Sequence, residues 1–447
     1  MTTTTDTIAA IATAHGIGSI AIIRLSGGDA LEIAKKITKK ENLTPRYATL
    51  STLYNTNNEP IDEAIVLYFK APYSFTAEDV VEFQVHGGDI VAQLVLQEVL
   101  ALGARLANPG EFSKRAFLNG RIDLSEAEAI AKLIEAKSED AAKVLVRQLK
   151  GELREFVEKT RQEIIYLLAY SEVNIDYAEE DLPEDIQEQM QQKLGSLVEM
   201  LERTLQASKS RAGLMQGFRV AIVGKPNVGK SSLLNQLLNY ERAIVSEIAG
   251  TTRDTIEEQL RVGSHLIRMV DTAGIREAGD TIEKIGIQKS LEAIEQSDIV
   301  LALFDGSREF DSEDEVILSL VQEYKEEKKI VFIKNKIDLK EQLKADIPFD
   351  LELNTKEGVE RLIAYLEKIL DSFNQSDEVL LISARQIDAI EKTIYAISES
   401  LSPLEFGELE IFSFWLKEAM MALESITKEH DNEEVLDAMF GSFCLGK

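Results

Sequence analysis

"GKPNVGKSS", residues 224 to 232, follows the apolar stretch "FRVAIV" and precedes "LLNQLLNYE", a run with helical spacing. The pattern G-x-x-x-x-G-K-[ST] between a strand and a helix describes a loop whose backbone N–H groups converge on a nucleotide phosphate. Gly224 and Gly229 permit its tight turns, with Asn227 and Val228 between them. Lys230 brings a mobile positive charge, and Ser231, followed by Ser232, offers a hydroxyl to Mg2+.

Three segments downstream decide which nucleotide. "GTTRD", residues 250 to 254, places Thr251 and Thr252 at a usual switch I distance, Thr252 serving as the second magnesium candidate. "DTAG", Asp271, Thr272, Ala273 and Gly274, is how a switch II meets the γ-phosphate and its metal. "NKID" supplies Asn335, Lys336 and Asp338 after an apolar strand. A carboxylate at Asp338 can accept from both N1–H and the 2-amino group of guanine, and adenine offers neither in that arrangement. The four segments together describe a G domain. "FRVAIVG", "HLIRMVDTAG", "DIVLALFDG" and "KKIVFIKNKID" each carry a signal at the carboxyl end of a strand, where open α/β sheets bind ligands.

Two details depart from the common pattern. "SAR", residues 383 to 385, resembles the usual second base-contacting loop, but it follows the long helical run "EGVERLIAYLEKILDSF". Such a loop should precede the last helix of the domain, where "FDLELNTKEG" stands, so "SAR" belongs with the helical region. After "DTAG", many switches place a glutamine that orients the attacking water. Here Ile275 stands, which can neither donate nor accept a hydrogen bond. Either hydrolysis is slow, or another group does the glutamine's work.

Outward from this core, the chain of 447 residues is long enough for roughly two to four domains. The reading is a multidomain chain in four regions. Residues 1–118 form a mixed α/β domain in which "DIVAQLVLQEVLALGA" is a helix ending at Gly103. Residues 119–216 are helical, opened by a predicted Ser125–Glu128 capping box and bent at the acidic "NIDYAEEDLPED". Residues 217–373 are the inserted α/β G domain, and residues 374–447 return to helix. No apolar run reaches membrane-spanning length, and "MTTTTDTIAA" lacks the order of a secretory signal. The single cysteine, Cys444, suits a reducing cytoplasm. A net charge of −29 points away from general nucleic-acid affinity, so an RNA partner would be recognised locally, with a second protein supplying basic surface.

"DTIAAIAT", "EDVVEFQVHGG", "NPGEFSKRAFLNGRIDLSEAEAI", "GKPNVGKSSLLN", "IAGTTRD", "DTAGIRE" and the terminal "FCLGK" stand in the order of the MnmE (TrmE) family of tRNA-modifying GTPases, which the chain resembles end to end. The resemblance implies a folate-binding, dimerising N-terminal domain, a helical middle domain and the inserted G domain. It implies a cytoplasmic homodimer that joins the flavoprotein MnmG (GidA), which carries FAD, in a heterotetramer or larger. With that partner, an aminomethyl or carboxymethylaminomethyl group is added to C5 of the wobble uridine of certain tRNAs. The carbon comes from 5-formyl- or 5,10-methylene-tetrahydrofolate.

For Ile275 the family implies two substitutes. A potassium ion sits beside the phosphates, held by Asn227 and by the loop from Ser246 through Glu247, Ile248, Ala249 and Gly250 to Thr251, with Ser246, Ile248 and Thr251 as ligands. Glu283 in "DTIEKIG" orients the water; a solvated helix-cap glutamate is the plainer reading, with Glu277 and Asp280 as competitors. By the same resemblance, Arg24, Glu82, Arg121 and Lys447 make the folate site. On its own residues, Arg24 is as readily a surface cation, and His86 a turn histidine. Cys444 beside Lys447 is either a nucleophile for C6 of uracil or a packed tail cysteine. A ribosome-assembly or RNA-binding GTPase switch without modification activity, and a signalling GTPase needing an activating protein, are the competing readings.

Overall fold

Short β-branched runs in the first hundred residues become strands because alternate side chains can be buried on one face. The computed structural model describes residues 6–176, 184–241, 258–270, 283–354, 358–373, 378–428, 433–443 and 446. Its first sheet contains β1 (Ile8–Ile11), β2 (Ile20–Ser26), β3 (Thr49–Tyr54), β4 (Pro60–Phe69), β5 (Val80–His86) and β6 (Arg105–Leu106), in the order β3-β4-β5-β2-β1-β6. All neighbours are antiparallel except β6, which runs parallel to β1. Ile23, Leu25, Phe83 and Val85 point to one face and pack with Ile33 and Ile37 of helix Ala30–Thr38 and with Val95 and Val99 of helix Asp89–Ala101. The second helix stops as its sequence predicts: Gly103 adopts φ +112°, a conformation that disfavours any side chain. Register sets Arg24 on β2 directly across from Glu82 on β5, and Ala10 of β1 across from Arg24.

The chain divides into two compact units. Met1–Ile134, Arg147–Val198 and Ser383–Lys447 form the first, and Glu135–Val146 with Glu199–Ile382 the second. Besides the sheet, the first unit holds the helix hairpin Ala384–Glu405 and Leu409–Glu424, packed on helix Glu152–Asp176. Ser171 and Ser413 hydroxyls meet at 2.6 Å in that interface. The last helix, Glu433–Gly441, lies on helix Glu111–Leu118, with Phe440 against Phe117 and Lys114 paired to Asp437 at 2.5 Å.

The predicted Ser125–Glu128 capping box is incorrect. Helix Leu124–Glu135 begins earlier, and the box is Asp123 with Glu126. Asp123 Oδ1 accepts from the Glu126 N–H at 2.8 Å, and Glu126 accepts from the Asp123 N–H at 2.9 Å. Aspartate caps as well as serine does, and it stands where the chain enters the helix. Ser125 donates to Asp123 instead. Glu128, free of capping, takes Arg385 of "SAR" at 2.9 Å, and Arg385 also donates to the Ile426 carbonyl at 3.0 Å. The "SAR" segment therefore ties helices together, in keeping with its assignment to the helical region. Most of the predicted acidic bend, residues 177–183, lies outside the described residues.

The second unit is built on β7 (Phe218–Val223), β8 (Glu258–Val262), β9 (His265–Met269), β10 (Ile299–Asp305), β11 (Lys329–Asn335) and β12 (Leu351–Glu352). Their order is β12-β11-β10-β7-β9-β8, parallel throughout except for β8. Every residue of β10 is buried, which explains its unbroken apolar run: helices cover both faces of a parallel sheet. The loops after β7, β10 and β11 consequently emerge at one edge, where the phosphate and base motifs meet.

Candidate guanine-nucleotide site and N-terminal pocket

Parallel β7 delivers the chain to Gly224, whose φ of +152° and a Leu303 carbonyl 2.6 Å from any added Cβ require glycine. Asn227 takes φ +64° and Gly229 φ +107°, giving the loop the turns that aim successive N–H groups inward. Lys230 opens helix Lys230–Glu241 and donates to the carbonyls of Gly224 at 2.7 Å and Lys225 at 2.9 Å. Burial pulls its ammonium below the usual lysine range.

The base loop is joined to this phosphate loop. Asn335 Nδ2 donates to the Val228 carbonyl at 2.7 Å, and Lys336 Nζ to the Asn227 carbonyl at 2.7 Å. Lys336 also pairs with buried Asp305 at 2.7 Å. Burial pushes the Asp305 carboxyl up, but hydrogen bonds from Lys336 and Ser307 outweigh it and hold the group below the usual aspartate range. Asp338 is exposed at the end of the loop.

In the first sheet, Arg24 Nε bonds Glu82 Oε1 at 2.9 Å, and the guanidinium lies over the rings of Phe75 at 5.7 Å and Phe112 at 5.8 Å. Arg121 donates to the Ser74 carbonyl at 3.3 Å, one residue from Phe75. Gly446, at φ +89°, lies against the Ile11–Ala12 backbone, where an added Cβ would come 2.5 Å from the Ile11 carbonyl. A recess of about 270 Å³ bordered by Ile11, Thr13, Gly16, Gly88 and Asp89 begins at the same strand end. His86 ends β5 and bonds Asp62 through its ring at 2.7 Å and its N–H at 2.8 Å, as a strand-end histidine does.

The family model described as GTP-binding protein TrmE N-terminus matches residues 7–121, and that described as MnmE helical domain matches residues 124–444. The chain belongs to the MnmE (TrmE) family. A tRNA modification GTPase MnmE of Sulfurimonas denitrificans is 66% identical over 99% of both chains. That of Aliarcobacter butzleri is 58% identical, again over 99% of each. A solved structure of Era in complex with MgGDPNP and nucleotides 1506-1542 of 16S ribosomal RNA covers 40% of this chain and 66% of its own, at 23% identity and a TM-score of 0.25.

Within this MnmE-family chain, the fold brings Asn227, Val228, Gly229, Lys230, Asn335 and Lys336 together, and Arg24 with Glu82. Ser231 and Ser232 start the helix that follows the phosphate loop. Ser246 to Thr252, Asp271 to Gly274, Ile275, Cys444, Lys447 and the Glu283 side chain lie outside the described residues. No described helix is long and apolar enough to cross a membrane.

Sequence reasoning passed over Lys225. Its ammonium meets Asp314 at 2.6 Å and Asp311 at 2.7 Å, and the Lys225 and Asp314 side chains are each only 4% exposed. Burial works against the charge, but the two carboxylates outweigh it and hold the ammonium above its usual range. Asp311 and Asp314 also form the capping box of helix Ser312–Glu323, so the lysine fastens the phosphate loop to that helix. Lys225→Met, which leaves the buried Asp314 carboxylate without its cation, is expected to destabilise this unit by about 3 kcal/mol. Urea titration of the full-length chain measures it. A loss under about 1 kcal/mol would place the pair among solvent-compensated surface bridges.

Proposed function

We propose that this chain is a potassium-activated GTPase that works with the flavoprotein MnmG, as a homodimer, to add an aminomethyl or carboxymethylaminomethyl group to C5 of a tRNA wobble uridine. A GTP hydrolase acting in tRNA modification follows from family membership and from the guanine-nucleotide site. The potassium part of this reading is supported chiefly by Asn227. Its carbonyl is engaged by Lys336 and its backbone is held at φ +64°, while its exposed side-chain amide has no partner among the described residues. An unengaged amide oxygen carried on the phosphate loop is a suitable ligand for a hard cation. A potassium ion there supplies positive charge against that developing on the phosphates. Ser231 and Thr252 are the candidate holders of Mg2+.

Steady-state GTP hydrolysis in KCl and in NaCl at equal ionic strength tests this. Potassium is expected to accelerate turnover at least about tenfold, and Asn227→Ala to remove the difference. Equal rates in both salts would return the chain to a switch that needs outside help at Ile275.

The one-carbon donor, 5-formyl- or 5,10-methylene-tetrahydrofolate, suits the N-terminal site. Glu82 offers a carboxylate to the donor edge of a pterin, half-buried Phe75 offers an apolar face, and Arg24 and Arg121 offer positive charge. When bound, the folate supplies the carbon, and FAD on the partner supplies redox chemistry. Docking of the Gly446 backbone one register position from Arg24 supports Lys447 as part of the same site. Gly446→Ala strains a left-handed residue against the Ile11 carbonyl and is expected to weaken 5-formyltetrahydrofolate binding about tenfold by isothermal titration. Unchanged affinity would remove the tail from the site.

A further inference from the structure

Three consecutive residues of one loop carry three arginines. Arg46 Nη2 donates to the Tyr73 carbonyl at 3.0 Å, Arg121 Nε donates to the Ser74 carbonyl at 3.3 Å, and the Arg24 guanidinium lies over Phe75. Of the three, Arg24 alone has a carboxylate partner among the described residues. Arg46 and Arg121 are exposed, and neither pairs with a carboxylate among the described residues. The acidic side chains that follow in the same segment are committed elsewhere. Glu78 accepts from Arg115 and Ser26, and Asp79 from the Ala71 N–H and the Tyr68 hydroxyl. In a chain of net charge −29, two guanidiniums brought to consecutive carbonyls with no carboxylate partner among the described residues are open to an anionic ligand.

We propose that this site takes its folate in polyglutamylated form, with the carboxylates of the γ-linked tail carried by Arg121 and then Arg46. The inference rests on the folate reading above and extends it from the pterin to the tail. Each added glutamate contributes one carboxylate, the group that a guanidinium fork matches best. The two cations are bonded to Ser74 and Tyr73, which immediately precede the Phe75 over which Arg24 lies. A phosphodiester track for RNA needs more clustered cations than two to overcome the overall charge.

The test is equilibrium binding of 5-formyltetrahydrofolate as the monoglutamate and as the pentaglutamate to the full-length protein. The pentaglutamate is expected to bind about tenfold more tightly or better, and the preference to shrink as salt is raised. The ratio of the two affinities, taken within each protein, is expected to fall towards one in Arg46→Ala and to recover in part in Arg46→Lys. Equal affinities in the unaltered protein would overturn the tail site and leave the folate reading intact. No binding of either form would overturn both. A ratio unchanged in Arg46→Ala, with weakened binding of an unmodified anticodon stem-loop RNA, would assign these cations to RNA and overturn the proposal.

Discussion

Lys230→Ala is expected to reduce the rate constant for GTP hydrolysis by about a thousandfold. The side chain is held between two loop carbonyls, 2.7 Å from that of Gly224 and 2.9 Å from that of Lys225, so its ammonium is in place before any phosphate arrives. Its surroundings are dry enough to draw its pKa down, and in such surroundings a charge acts on phosphate oxygens far more strongly than in water. Truncation removes that charge and leaves the Gly224 and Lys225 carbonyls without this donor. Lys230→Arg is expected to recover little, because a planar fork cannot occupy a slot fitted to a point charge. Single-turnover hydrolysis measures the chemical step, and fluorescent-nucleotide binding separates it from lost affinity. The melting transition should stay near that of the unaltered protein, since the lysine carries no ion pair among the described residues. A rate constant within tenfold of the original would mean that the loop backbone and the metal ions do most of the work.

How far the sequence could be read depends on how local each feature is. The phosphate loop was legible because its signals are contiguous: an apolar strand, glycines where φ must be positive, then a helix. β10 was legible for the same reason, its unbroken apolar run having only one stable place, the middle of a parallel sheet. The end of helix Asp89–Ala101 at Gly103 was equally local. The start of helix Leu124–Glu135 was misread by two residues because serine and aspartate cap equally well, and only the path of the entering chain chooses between them.

Long-range pairings were the illegible part. Lys225 finds Asp314 across 89 positions, and Arg385 finds Glu128 across 257, and no window of sequence announces either. Those pairs nonetheless explain residues that motif reading treats as spacers. Lys225 occupies a variable position of the phosphate-loop pattern yet anchors the loop, and "SAR" turned out to carry a helix clamp. In the N-terminal sheet the pairing of Arg24 with Glu82 is a consequence of register, which hydrophobic alternation on the opposite face fixes. The loop arginines needed the structure, because Arg46 and Arg121 come from separate connections and are brought together only as donors to the consecutive carbonyls of Tyr73 and Ser74.

Asp338→Asn is expected to weaken GTP binding about a thousandfold and to create a protein that uses XTP. The base loop divides its labour. Asn335 and Lys336 are spent on the Val228 and Asn227 carbonyls, which leaves Asp338 as the side chain of this motif available to read the base. Its carboxylate can accept two hydrogen bonds from guanine, at N1–H and the 2-amino group. An asparagine amide must turn its NH2 towards that amino group, setting donor against donor and stranding both. Xanthine keeps N1–H but carries an oxygen at C2, so the same asparagine accepts from one and donates to the other. Because Asn335 and Lys336 still tie the base loop to the phosphate loop, the catalytic geometry should be undisturbed, and turnover at saturating XTP should approach that of the unaltered protein with GTP. Potassium dependence should pass to XTP unchanged, which distinguishes a switched specificity from a damaged domain. Retention of GTP affinity within tenfold, or XTP turnover no better than that of the original protein, would mean that the base is read by backbone groups of the Leu351–Asn354 segment rather than by Asp338.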